Sequence, residues 1–215
     1  MTDANDSDSL LNKLLAVLAV DWAYSAWVAG DAAVLVSSRE DQRSVALGVV
    51  LTGMLSGLVE AGELGDDGFV ASPGAPAESG VVVAREWLAW PGFPDHPGDV
   101  CWFAATESGA ARGREVTASR TGDWDEDVWG SGDLARARAL LSVGDVTLGQ
   151  LLAAVEVPHA SRADRSAIAL GLAVEAVVAG HVTVRGCEDD AAVVRAIFQA
   201  LGSPSGPELI LARVD

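Results

Sequence analysis

The chain of 215 residues has little positive charge. It carries one lysine, Lys13, among 14 basic residues, against 31 aspartates and glutamates, which gives a net charge of -17 and a pI near 4.3. Residues 1–100 contain 15 acidic and four basic residues, and residues 101–215 contain 16 acidic and 10 basic residues. The net charges of the two halves are therefore about -11 and -6. Such a surface repels phosphate backbones over most of its area, which disfavours nucleic acid as a general partner.

Cysteine is also scarce. Cys101 and Cys187 are the only two, and their separation fits no metal-binding spacing. We interpret them as reduced structural thiols of a cytoplasmic protein.

Long uninterrupted apolar runs are missing. Neither of the two most apolar windows, residues 14–36 and 167–184, contains the roughly 18 uninterrupted apolar residues of a membrane span. They are broken by Asp21, Asp31, Glu175 and His181. The first ten residues, MTDANDSDSL, carry aspartate where a signal peptide needs lysine or arginine. The sequence therefore predicts a cytoplasmic protein with no membrane partner.

Patterns that support catalysis, metal binding or cofactor binding are absent. His96, His159 and His181 are scattered, and no phosphate-binding or dinucleotide-binding glycine motif occurs. The acidic run at residues 123–127 lacks the glycine and glutamate that a calcium loop requires at its sixth and twelfth positions. We therefore predict no enzyme, no cofactor and no metal site, and interpret the acidic run as part of a solvated linker.

The most informative segment of the sequence is residues 41–64, which predicts a long helix. Its apolar residues follow helical spacing, and Gly62 is typical of a helix C-terminus. A Gly-Asp-Asp-Gly turn at residues 65–68 and an extended segment at Phe69 follow. Helices are also predicted from Ser9, within residues 21–36 and over 81–90, with a loop at 71–79 and a β-type run at 100–104.

This order recurs in the second half. Residues 11–20 match 148–157, residues 47–59 match 170–182, residues 83–88 match 193–198, and residues 99–104 match 208–213. Four blocks in the same order indicate an internal duplication; the alternative is two unrelated segments of similar composition. The predicted fold is α+β, mostly helical, with one winged-helix-like module at 9–110, an acidic linker at 111–131 and a second module at 132–215.

The seven tryptophans all precede residue 130. Trp87 and Trp102 are expected in the core of the first module. Trp22, Trp27 and Trp90 are candidates for a partner-binding surface, because partly exposed aromatic side chains are frequent interface anchors. The alternative is that they too fill the core.

Arginines provide the only candidates for nucleic-acid contact. Arg162, Arg165 and Arg185 lie on the second copy of the long helix and its wing, where a winged helix contacts DNA. The acidic residues 188–190 adjoin them, so exposed solvating charges are the simpler account.

Two segments carry a family resemblance. Residues 51–64, LTGMLSGLVEAGEL, resemble the recognition-helix segment of bacterial regulators of the multiple-antibiotic-resistance type. Residues 99–109, DVCWFAATESG, resemble the strand and LT-x-x-G turn that often follow the wing, although the leucine is missing here. The first half is also similar to a group of actinobacterial proteins of unknown function. The resemblance implies a tandem winged-helix-like fold and assigns no site residue.

Two functions follow as hypotheses. The first is a non-enzymatic, acidic protein-interaction module, an adaptor or immunity-type protein that docks a partner of basic character through its first module. The alternative is a transcriptional regulator that contacts DNA through the three arginines of the second module. The sequence does not specify the oligomeric state.

Overall fold

The structure is a computed structural model, and it describes residues 9–90, 101–119, 130–158, 160–203 and 206–214. The first half contains, in order, α1 (Leu10–Leu18), β1 (Ala23–Tyr24), α2 (Ser25–Ala32), α3 (Arg39–Leu55), β2 (Val59–Gly65), β3 (Gly68–Ala71), α4 (Pro76–Ala89), β4 (Trp102–Ala105) and α5 (Glu107–Ser119). The second contains α6 (Ala135–Val143), β5 (Val146–Thr147), α7 (Leu148–Ala154), α8 (Arg162–Val178), β6 (Val182–Val184), α9 (Asp190–Leu201), a 3-10 turn (Gly206–Glu208) and β7 (Ile210–Arg213). The predicted α+β, mostly helical class is confirmed.

Each half has one small antiparallel sheet. The strand order is β1-β4-β2-β3 in the first half and β5-β7-β6 in the second. In both sheets the final strand pairs on one side with a two-residue strand and on the other with the strand that follows the long helix. The two sheets therefore share one strand arrangement, to which the first half adds β3.

Local sequence explains where the long helices begin and end. The side chains of Ser38 and Ser161 accept hydrogen bonds from the backbone N–H groups of Asp41 and Asp164, which caps α3 and α8. After each helix a glycine adopts a left-handed conformation, Gly57 with φ 68° and Gly180 with φ 74°. The chain then enters β2 or β6.

The two long helices cross at a pair of glycines in the centre of the molecule. Both helices have 17 residues, and their bounds differ by a constant 123 positions. A Cβ on Gly48 would lie 1.8 Å from the carbonyl oxygen of Ala167, and one on Gly171 would lie 2.0 Å from the carbonyl oxygen of Ser44. Because Ala167 occupies in α8 the position of Ser44 in α3, the contact is self-complementary, as in a two-fold symmetric interface.

Hydrogen bonds between the halves follow the same symmetry. The backbone N–H of Leu10, where α1 begins, donates to the carboxylate of Asp164 over 2.9 Å. The N–H of Leu134, which precedes α6, donates to the carboxylate of Asp41 over 3.4 Å. Each half therefore supplies a buried aspartate that binds the first helix of the other half.

A partly buried ionic network lies beside the crossing. Arg138 on α6 contacts Glu175 on α8 at 3.2 Å and Ser44 on α3 at 2.6 Å. Ser44 also donates to Glu175 at 2.6 Å, and Arg43 pairs with the same carboxylate at 3.1 Å. Because the Glu175 carboxylate has several donors, its charge is compensated inside the interface.

Several predicted boundaries were wrong. The helix expected to end at Gly62 ends at Leu55, and Gly62 lies within β2. The sequence did not reveal this change from helix to strand, because Val59 and Ala61 continue the apolar pattern of the helix although they are buried at alternate positions of β2. The helix expected from Val81 begins at Pro76, so it takes in part of the predicted loop, and within residues 21–36 only Ser25–Ala32 is helical.

One block of the predicted repeat was also misaligned. The match of residues 11–20 with 148–157 pairs α1 with α7, whereas strand order pairs α7 with α2, since each follows a two-residue strand. Abundant leucine and alanine in both helices explain the false match.

The predicted linker, residues 111–131, begins inside α5. This helix packs closely on α1, since a Cβ on Gly113 would lie 2.0 Å from the carbonyl oxygen of Leu15. At its other end the segment contacts the first half, because the N–H of Gly130 donates to the carbonyl of Ala33 at 3.0 Å. The acidic run at 123–127 lies outside the described residues.

No helix in the described part of the chain is long and apolar enough to cross a membrane.

The glycine crossing gives a direct test of the fold. We expect Gly48→Ala or Gly171→Ala to lower the free energy of unfolding by about 2–4 kcal/mol, because a methyl group would force the helices apart. Gly30→Ala in α2 is the matched control, since its Cβ would meet nothing within 4 Å, and it should be neutral or stabilising by up to about 1 kcal/mol. Urea denaturation measures all three; an equal effect of the three substitutions would contradict the crossing.

Candidate functional site

A groove lies between α4 and the β2–β3 hairpin in the first half. Its volume is about 860 Å³. One wall is α4, with Glu78, Val82 and Glu86 facing the groove, and the other is formed by residues near the middle of β2, among them Glu63. We call this space the hairpin groove.

Sheet geometry explains how the hairpin creates this space. Ala61 pairs with Phe103 over the core, where the ring of Phe103 meets that of Trp87 in an edge-to-face contact at 6.0 Å. Beyond Gly62 the strand β2 continues past the end of its pairing with β4 and pairs only with β3. The hairpin therefore projects from the core, and the space between it and α4 is the groove.

Apolar and aromatic side chains line part of the groove. On α4, Val82 is 51 % exposed, and the half-buried Trp90 lies at the end of the helix. Leu64, 39 % exposed, and Trp102 belong to the strands that border the groove, and the ring of Trp102 contacts Tyr24 edge to face at 5.4 Å. Exposed apolar side chains grouped around aromatic rings are a common composition of protein-binding surfaces.

The charged groups of the groove are all acidic. Glu63, Glu78 and Glu86 line it, and no lysine or arginine does so among the described residues. Partial burial, with the charge of Glu63 as a second cause, raises the pKa of the Glu86 carboxyl. The native state therefore holds this proton more tightly than the unfolded chain, and stability falls as pH rises through this titration. A cation placed between the two carboxylates would relieve their repulsion.

Cys101 lies at the inner end of the groove, just before β4. Its sulfur is 3.9 Å from the carbonyl oxygen of Gly62. Burial, with the carboxylates of Glu86 and Glu63 as lesser causes, raises the pKa of the thiol to about 12. At neutral pH the group is a protonated thiol, so it is a poor nucleophile and a poor metal ligand.

The three tryptophans predicted as partner-binding residues occupy different surroundings. Trp22 is 42 % exposed beside the hairpin turn, with its ring 3.8 Å from where a Cβ on Gly68 would lie. Trp90 caps α4 and lines the groove, whereas Trp27 is half-buried and packs against the main core. Trp22 and Trp90 are thus associated with the hairpin, and Trp27 is not.

Of the two tryptophans expected in the core, one lies elsewhere. Trp87 is fully buried, as predicted, but Trp102 is half-buried, with its side chain on the face of the sheet opposite to Phe103. The alternation of side chains along β4 could have identified Trp102 as outward-facing, because its neighbour Phe103 points inward. Glu63 and Glu86 were also missed, because they are distant in sequence and belong to no motif.

The three arginines of the nucleic-acid alternative are not brought together. Arg162 and Arg165 are exposed on the first turns of α8, whereas Arg185 follows β6, beyond the other end of that helix. A 17-residue helix is about 25 Å long, so the two ends are too far apart for one compact patch. Arg185 also lies 3.7 Å from Asp145.

Within the described residues, no group of three metal-ligating side chains is placed to hold an ion. His181 is exposed after α8 and stands apart from the groove. His96 and His159 lie outside the described residues.

The buried thiol gives a test of the groove's inner end. We expect iodoacetamide at pH 8 to alkylate half-buried Cys187 at least about tenfold faster than Cys101 in the native protein, because Cys101 is buried and its pKa is raised. Peptide mass spectrometry measures both rates, and denatured protein, in which both should react alike, is the control. Equal native rates would show that Cys101 is accessible and place it outside the interior.

Comparison of this chain with protein-family models, with curated proteins and with solved structures found no match.

Proposed function

We propose that this protein is a non-enzymatic, acidic protein-interaction module that docks a protein partner of basic character through the hairpin groove. The observation that carries the proposal is the presence of the β2–β3 hairpin in only one of two halves that share a strand arrangement, within the part of the chain that the structure describes. Strand β3 has no counterpart among the described residues of the second half, where β6 passes through a short turn to α9. The first half also adds α5, but α5 packs closely on α1, whereas the β2–β3 hairpin projects from the core, so we assign the hairpin to function.

We further propose that both halves derive from one winged-helix-like unit by duplication. The shared order of helix, strand, helix, helix, strand, helix and strand supports this, as do the common strand arrangement and the constant offset between α3 and α8. In each half a helix, α4 or α9, lies between the strand that follows the long helix and the last strand, so the wing of the proposed unit contains an inserted helix. In this proposal the duplicated unit holds the two halves together.

Charge defines the partner. The groove offers carboxylates and aromatic rings together, and an arginine or lysine side chain satisfies both through ion pairing and cation–π contact. The net charge of -17 would also accelerate encounter with a basic protein at low salt.

The DNA-binding alternative receives no comparable support. From Ala167 to Val177 every residue of α8 is buried, so only its first turns reach the surface. The equivalent helix, α3, is buried by the same crossing. A helix that reads DNA must expose one face to the major groove.

Paired charge variants test the proposal. The tagged chain would be used to capture proteins from a nuclease-treated lysate of the source organism. We expect a protein retained by the wild type to be weakened at least about tenfold by Glu63→Gln with Glu86→Gln, and similarly by Trp90→Ala.

The control is Glu115→Gln with Glu188→Gln, which removes the same charge from exposed sites outside the groove. It should retain the partner, and higher salt should weaken capture by the wild type. Equal loss of the captured protein in the groove and control variants would show that net charge alone causes the binding. Unchanged capture by the groove variants would show that the hairpin groove is not the binding site.

A further inference from the structure

We infer that the partner docks as an extended basic segment that adds a strand to the open edge of β3. This inference rests on the proposed function and names the mode of binding. Strand β3 lies at the end of the sheet order β1-β4-β2-β3, and it pairs only with β2. Its other edge therefore has no strand partner among the described residues.

The hairpin register identifies which backbone groups face this edge. Gly65 and Gly68 flank a two-residue turn, and the pairing continues from Leu64 with Phe69 to Gly62 with Ala71. The N–H of Ser72 donates to the carbonyl of Ala61 at 2.8 Å. Because inward and outward groups alternate along an antiparallel strand, Gly68, Val70 and Ser72 face β2, and Phe69 and Ala71 face outward.

The edge lacks the features that usually block strand addition. Its residues, Gly-Phe-Val-Ala, include no lysine, proline or inward-pointing charge, so only the four-residue length of β3 limits pairing. The side chains of Val70 and Ala71 are exposed, with Val70 at 63 %. Two outward N–H groups and two outward carbonyls are thus available for pairing with another chain.

The charge beside this edge specifies the side chains of the added strand. Val70 pairs with Glu63, so both lie on the face of the hairpin that borders the groove. Strands are spaced about 4.8 Å apart, so Glu63 would lie about 10 Å from an added strand. Long basic side chains at alternate positions of that strand can extend past Val70 toward Glu63.

The turn that closes the hairpin adds to this charge. Asp66 and Asp67 are exposed at one end of β3. An added strand would thus have acidic groups at the tip of the hairpin and along its groove face. We therefore assign as ligand a segment in which arginine or lysine alternates with β-branched residues. An acidic segment does not fit the charge of the hairpin, and a helical segment cannot pair with the edge of β3.

Binding of two peptides tests this inference. The probe is a fluorescein-labelled octapeptide in which arginine and valine alternate, and the matched peptide replaces each valine with proline. The two carry equal charge, but proline has no N–H and cannot continue a ladder. By fluorescence anisotropy we expect the valine peptide to bind at least about tenfold more tightly. Equal affinity would show attraction by charge alone and would overturn the inference.

Protein variants locate the contact. Ala71→Pro removes an outward N–H at an exposed position and leaves the bonds between β2 and β3, so we expect at least about a tenfold loss of valine-peptide affinity. Ala71→Ser retains the N–H and should bind as the wild type does. Unchanged binding by a folded Ala71→Pro variant would exclude β3.

Hydrogen exchange of the wild type provides a readout that needs no substitution. With the valine peptide bound, the amides of Phe69 and Ala71 should exchange at least about tenfold more slowly by NMR, and that of Val70, already bonded to β2, should change less. No added protection at Phe69 and Ala71 would overturn the inference. If the strand test fails while groove variants still lose the captured protein, the proposed function stands and only this binding mode is rejected.

Discussion

Close approach of α3 and α8 at Gly48 and Gly171 is the constraint on which the rest of the structure depends. At this crossing each backbone occupies the space that a side chain on the other glycine would fill. Such close contact brings Ser44 of α3 within reach of Glu175 of α8, and the ionic network around Arg138 forms beside it. Neither helix could bury its central residues without the other, so each half completes the core of the other.

The same crossing explains why the surface of the long helices is not the functional surface. Helices that are buried by one another leave only their ends and the attached sheets for contact with other molecules. In the second half the sheet is short, ending in the three-residue strand β6. In the first half β2 is seven residues long and continues into β3, so apolar and acidic groups project together from the core.

Sequence periodicity located the long helices, because their apolar residues recur at helical spacing, but it did not predict α5, most of which falls in the expected linker at 111–131. It failed at the β2 strand, where an apolar run continued from a helix into a strand without a change in composition. It also paired α1 with α7, since leucine-rich helices resemble one another whatever their place in the fold.

The candidate site was harder to predict than the fold. Trp22, Trp27 and Trp90 were predicted to be partly exposed, and the structure leaves Trp22 exposed and the other two half-buried. Trp102 was assigned to the core because its inward neighbour, Phe103, could not be told from it by composition. Glu63 and Glu86 come together only when β2 extends past the core and α4 packs beneath it. Their proximity follows from tertiary structure, and no local pattern contains it.

Equilibrium unfolding followed by two probes would test most directly whether the halves form one folding unit. All seven tryptophans precede residue 130, so fluorescence reports the first half, whereas far-UV circular dichroism reports the helices of both. Mutual completion of the core predicts a single transition with coincident midpoints in guanidinium chloride. A fluorescence midpoint separated from the dichroism midpoint, or a dichroism curve with two steps, would show that the halves unfold independently and would contradict the central role of the α3–α8 crossing.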